Sequence, residues 1–109
     1  MNTNKDKVNI IVTMNFKSMF RKKKLNETYH EASINFLKNL IRSARKLPGC
    51  TKMELKKNIA NKDSFILYEI WESEESLQTH INSEYFGTLS KFFAENTESI
   101  SINKYVDIY

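Results

Sequence analysis

The sequence predicts an α+β fold: one four-stranded sheet with its helices on a single face. Three observations carry that prediction. Short β-branched or alternating runs and longer amphipathic stretches succeed one another as β-α-β-β-α-β, the order of a split βαβ, ferredoxin-like sheet. Of 109 residues, 40 % are hydrophobic and 12 % aromatic, enough for a core built without disulfides or metal. Only two glycines and one proline occur, which argues against a loop-dominated or disordered chain. This length supports one domain, expected over residues 8–109 behind a disordered polar tail at 1–7.

Each element has its own signal. Val8 to Phe16 is rich in β-branched residues and reads as a strand covered on both faces. Thr28 and Glu31 form a capping box, from which Tyr29, Ala32, Phe36, Leu37, Leu40, Ile41 and Ala44 recur at helical spacing. Arg45 and Lys46 suit the negative end of that helix, and Pro48-Gly49 stops it. From Cys50 to Lys57, Thr51, Met53 and Leu55 alternate with Lys52, Glu54 and Lys56, as in a half-exposed strand. The polar stretch 58–63 turns this strand into a second, Phe65 to Trp71. Ser73 caps the next helix, with Glu74 and Glu75 in its first turn and Leu77 and Ile81 opening its buried stripe. Asn82-Ser83 interrupts or re-caps that helix before Tyr85, Phe86, Leu89, Phe92 and Phe93 extend an apolar face. Ile100, Ile102, Val106 and Ile108 alternate with polar residues and close the sheet.

Helices on one face leave the other sheet face bare, and its apolar residues need cover, so a symmetric homodimer packed sheet to sheet is expected. The net charge is +4, with basic blocks at Arg21 to Lys24 and at Lys56-Lys57 with Lys62. Such blocks either attract phosphates and acidic ligands or simply keep loops solvated. Cys50 is the single cysteine, which precludes an intrachain disulfide and fits a reducing cytoplasm. The polar N-terminus is no secretory signal, and the apolar runs are too short to span a bilayer, so no membrane is expected. RNA-recognition modules share this element order, but the third strand lacks their Gly-Phe-aromatic signature, so no nucleic-acid partner is expected.

The strand–helix junction at 65–80 holds the chemistry. Period two places Phe65, Leu67, Glu69 and Trp71 on one face, expected to look into the dimer cavity, and Ile66, Tyr68 and Ile70 beneath the helices. Glu69 is either a general base with a pKa raised by burial or a structural partner for a lysine, an arginine or His80. Trp71 is either an aromatic wall for a flat substrate or core. His80 is the best proton acceptor available, or else a satisfied core histidine. His30 reads as a surface residue. Cys50 has no acid–base pair beside it and is rejected as a nucleophile. There is no metal-ligand spacing, Gly-rich phosphate loop or Ser-His-Asp order.

These residues also resemble a family. Leu47-Pro48-Gly49-Cys50 resembles the E-P-G-C turn of the antibiotic-biosynthesis-monooxygenase (ABM) family. The run from Glu69 to Leu77, with His80 and Ser83-Glu84-Tyr85-Phe86, is similar to its E-x-W-x-s-x-x-a-L-x-x-H-x-x-S-x-x-F pattern. The resemblance implies a dimeric α/β barrel and a cofactor-independent monooxygenase that oxidises a small aromatic phenol or quinol with dioxygen, using neither metal nor flavin. It implies His80 or Glu69 as base, Trp71 as a wall and Asn15 as an orienting donor, the alternative for Asn15 being a turn or edge residue. Tyr85 and Phe86 resemble the family's helix-two aromatic pair, which packs or contacts substrate. The family also admits a non-catalytic small-molecule-binding or stress-related protein on the same dimer. The basic loop before the first helix departs from the family's short Gly-containing turn. In haem-degrading relatives a tryptophan stands in place of His80 and a haem-ligating histidine falls near Ser90, so haem degradation of that type is not expected.

Overall fold

The structure is a computed structural model, which describes residues 7–17 and 23–109, with side chains of the first helix described from Glu31 onward. The polar tail before Lys7, the basic block as a unit, and the side chains of Thr28, Tyr29 and His30 lie outside the described residues. Seven elements follow in order: β1 (Val8–Phe16), α1 (Lys23–Ala44), β2 (Cys50–Lys57), β3 (Ser64–Trp71), α2 (Glu74–Ile81), α3 (Glu84–Asn96) and β4 (Thr97–Val106). The strands form one antiparallel sheet in the order β2-β3-β1-β4, the expected ferredoxin-like arrangement. α1 starts five residues ahead of the expected Thr28 cap, because Lys23, Lys24 and Leu25 are themselves good helix formers.

The register pairs Val8 with Trp71, Ile10 with Glu69, Val12 with Leu67 and Met14 with Phe65. All eight are buried, and the apolar ones share a core with Leu37 and Ile41 of α1, Leu77 of α2, and Leu89 and Phe92 of α3. This corrects the expected assignment of faces: Phe65, Leu67, Glu69 and Trp71 look toward the helices, not into a cavity between protomers. Both rows of β3 are largely apolar, so its own alternation is degenerate. The neighbour resolves it, because Lys52, Glu54 and Lys56 stand opposite Ile70, Tyr68 and Ile66. A row of charges cannot be laid under a helix layer without partners.

The helix-free face is mixed rather than broadly apolar. A half-buried stripe of Ile11, Ile66, Tyr68 and Ile70 runs down its centre. Asn9 and Asn15 of β1 and Ser99 and Asn103 of β4 sit on the same side, by parity with Ile11 and by register. The stripe of α1 is also turned slightly from expectation. Ser33 and Leu37 are buried, whereas Ala32 is exposed and Phe36 is 45 % exposed, its ring lying 5.4 Å from that of Phe92.

Two junctions position the site. Gly49 has a φ of 85°, and a Cβ there would lie 2.3 Å from the Ser76 hydroxyl. Its carbonyl accepts from the Glu72 amide at 2.8 Å, so the stop after α1 clamps the β3–α2 corner. The second junction re-caps the chain at Ser83, as expected. The Ser83 hydroxyl accepts from the Phe86 amide and donates to the His80 carbonyl at 2.6 Å, ending α2 and starting α3. The break turns Tyr85 and Phe86 back toward the end of α2.

Candidate active site

A cavity of about 370 Å³ lies between the helix-bearing sheet face and the α2–α3 pair. That volume falls in the range of small-molecule sites. Its walls are mostly apolar, among them Ile10, Val12, Leu77, Leu89 and Phe93, and its polar lining includes Glu69, His80, Ser90 and Lys104.

His80 is only 3 % exposed and is enclosed by rings. Trp71 stacks on it at 4.5 Å between centroids, Tyr85 lies at 5.4 Å, and Phe86 meets it edge-on at 5.3 Å. Its Nδ1 is buried and has no hydrogen-bond partner among the described residues. Burial lowers the imidazole pKa from 6.5 to about 4, since no nearby charge compensates a proton there. The ring is therefore neutral at physiological pH.

Glu69 sits on β3 one pleat below Trp71, and the indole Nε1–H donates to its Oε1 at 2.7 Å. Burial raises the Glu69 pKa, and the indole hydrogen bond opposes that rise. Among the described residues no ion pair joins Glu69 to His80. Glu69 instead anchors the indole on which the imidazole rests. Burial raises the Tyr85 phenol strongly, with the negative charges of Glu69 and Cys50 adding to it. Its hydroxyl donates to the Met53 sulfur at 4.0 Å. Burial is also the main cause that raises the Cys50 thiol, in keeping with an unactivated residue.

The structure therefore gathers five of the six candidates. Glu69, His80 and Phe86 line the cavity, while Trp71 and Tyr85 back the imidazole from behind the wall. Asn15 stands apart on the helix-free face, donating from Nδ2 to the Ser99 hydroxyl at 2.9 Å. Lys104 and Ser90 are lining residues that the sequence reading does not single out as site residues. Lys104 had a signal: it interrupts the apolar row Ile100, Ile102, Val106 with a charge.

The family model described as antibiotic biosynthesis monooxygenase matches residues 19–91. The chain belongs to the antibiotic biosynthesis monooxygenase family. The match contains Glu69, Trp71, His80, Tyr85 and Phe86, and this ABM membership supports a monooxygenase. Solved structures extend the likeness across β1 and β4. A conserved protein from Methanosarcina mazei Go1 superposes with a TM-score of 0.80 at 21 % identity over 96 % of each chain. A protein from Pseudomonas aeruginosa gives 0.79 at 18 % identity, over 99 % of this chain and 100 % of that one. A structure described as an antibiotic biosynthesis monooxygenase gives 0.77 at 14 % identity, over 94 % and 99 %. At these identities the structures speak to the ABM fold alone. No functionally curated protein matches the sequence. No helix among the described residues is long and apolar enough to cross a membrane.

Proposed function

We propose that this chain is a cofactor-independent monooxygenase that oxidises a small aromatic phenol or quinol with dioxygen, acting as a homodimer in the cytoplasm. One observation carries the reading: a neutral imidazole, enclosed by the Trp71, Tyr85 and Phe86 rings, held at the wall of an apolar cavity. His80 takes the phenolic proton. Burial alone lowers the imidazole to about 4, and a phenolate forming beside the ring supplies the counter-charge that makes it a stronger base. The electron-rich anion then reduces dioxygen against the apolar walls of the cavity, and the two recombine. Where the substrate carbon carries two hydrogens, both C–H bonds break. One atom of dioxygen becomes the new carbonyl oxygen, and the other leaves with the two hydrogens as water. The substrate thereby supplies every electron. Glu69 keeps Trp71, and through it His80, in place, and its position on the lining makes it the second candidate base.

The dimer draws support from the Ile11, Ile66, Tyr68 and Ile70 stripe, and the cytoplasmic setting from the single cysteine. The alternative, a non-catalytic small-molecule binder, would be favoured by a cavity lined only by Phe, Leu and Ile, with Glu69 and His80 locked in an ion pair. The described lining also holds Glu69, His80, Ser90 and Lys104, and Glu69 accepts from the Trp71 indole, which leaves the His80 imidazole available as a base and supports the enzyme.

Anthrone tests the proposal, because its enol tautomer is a phenol and its oxidation to the quinone consumes dioxygen. Oxygen uptake above the autoxidation background is expected, falling about 100-fold or more in His80→Gln with an unchanged circular dichroism spectrum. Undiminished uptake in that variant removes His80 as the base.

A further inference from the structure

β4 forms one side of the cavity, and its residues there are Ile100, Ile102 and Lys104. Lys104 pairs in register with Ile10, itself part of the lining, so the ammonium stem runs along the cavity edge. Among the described residues, Lys104 is the one Lys or Arg of the lining. Its Nζ currently bridges both oxygens of Glu74, at the start of α2, at 3.0 and 3.1 Å. Both partners are about half exposed, 50 % for Lys104 and 53 % for Glu74. An ion pair that wet is weak and exchanges partners readily. Glu74 does not depend on it, since Gln78 also donates to Glu74 at 2.9 Å and the first turn of α2 favours a negative charge.

The remaining lining constrains what an anion can do. Apart from Lys104 the described lining carries no standing positive charge: it is mostly aliphatic and aromatic, Ser90 and Thr97 are neutral, and Glu69 is an acid. His80 is neutral until it takes the substrate proton, so a carboxylate there would be desolvated without a counter-charge. At the mouth, Lys104 offers that charge beside water. The described cavity is thus polarised, with a mostly apolar body and a cationic edge at Lys104.

We propose that Lys104 is the anion-recognising residue of this site and that the ligand is an aromatic acid, its ring in the cavity and its carboxylate on the Lys104 ammonium. The assignment rests on the cavity being the substrate site, and it deepens that reading by naming the substrate class. On binding, the carboxylate displaces Glu74 from Lys104.

Isothermal titration calorimetry of the full chain with 2-naphthol and 6-hydroxy-2-naphthoate at neutral pH tests this, because the probes differ only in the carboxylate. The wild type should bind the naphthoate about fivefold more tightly than the naphthol. Lys104→Met should bring the ratio close to one, Lys104→Arg should retain it, and Glu74→Gln, which removes the competing carboxylate, should increase it. A merely structural bridge would instead weaken both probes alike in Lys104→Met and Glu74→Gln and leave the ratio unmoved. Naphthol binding with a wild-type ratio near one, or a ratio that survives Lys104→Met, overturns the Lys104 assignment and leaves the cavity reading standing. Failure of both probes to bind overturns the two together.

Discussion

His80 and Glu69 occupy the same lining and respond to burial in opposite directions. For His80 the folded pKa lies near 4, below the 6.5 of an unfolded chain, so between those values the unfolded state binds a proton that the folded state refuses. Its contribution is complete above pH 6.5 and is lost as pH falls toward 4, about 3 kcal/mol in all. Glu69, raised above 4.5, contributes below that pH and loses its contribution as pH rises. Urea midpoints compared from about pH 4.5 to 8 should therefore separate the two. His80→Gln should lose less stability than the wild type on acidification. Glu69→Gln, whose amide oxygen can still accept the Trp71 indole, should gain on the wild type as pH rises. Parallel curves for wild type and His80→Gln would show that the imidazole is not held neutral by burial. The same stack explains why Trp71 and Tyr85 matter without lining the cavity: they fix the ring that does.

At the scale of elements, two corners place this chemistry. The Leu47-Pro48-Gly49-Cys50 turn ends α1 and brings Gly49 so close to Ser76 that α2 is seated against it. Gly49→Ala meets both a left-handed backbone and a collision with the Ser76 hydroxyl, and should destabilise the protein by about 2–3 kcal/mol in chemical unfolding. Adding Ser76→Gly should relieve the collision and restore part of that loss, while the backbone portion remains. An unchanged midpoint for Gly49→Ala would mean that this approach is not tight in solution. The Ser83 corner was legible in the sequence as a helix interruption. Its consequence was not: ending α2 at the His80 carbonyl lets Phe86 meet the imidazole edge-on. β4 shows the reverse case. Its alternation was readable, but that Ile100, Ile102 and Lys104 edge a cavity depends on helices remote in sequence.

At the scale of the whole molecule, the outstanding feature is how the helix-free face is covered. Its central stripe of Ile11, Ile66, Tyr68 and Ile70 is bordered by Lys52, Lys56, Ser99 and Asn103, the arrangement of an interface with an apolar middle and a polar rim. Light scattering should return twice the 12.9 kDa chain mass at micromolar concentration. Ile70→Lys, which sets a charge in the stripe, should return a single folded chain. A lone wild-type protomer would remove the homodimer from the proposal and leave the cavity between the sheet and the α2–α3 pair in place.

The sequence by itself determined the element order, the two helix stops, the Ser73 and Ser83 caps and the grouping of Glu69, Trp71 and His80. These are local consequences of residue spacing, of capping hydroxyls and of a glycine where the backbone must turn left. Only the tertiary structure decided which face of β3 carries the helices, that Glu69 holds an indole instead of an imidazole, that Asn15 stands on the opposite side, and that Lys104 reaches the cavity edge. The physical reason is pairing: a strand with two apolar rows is ambiguous alone, and its neighbours in the sheet, far away in sequence, settle which row can be dry.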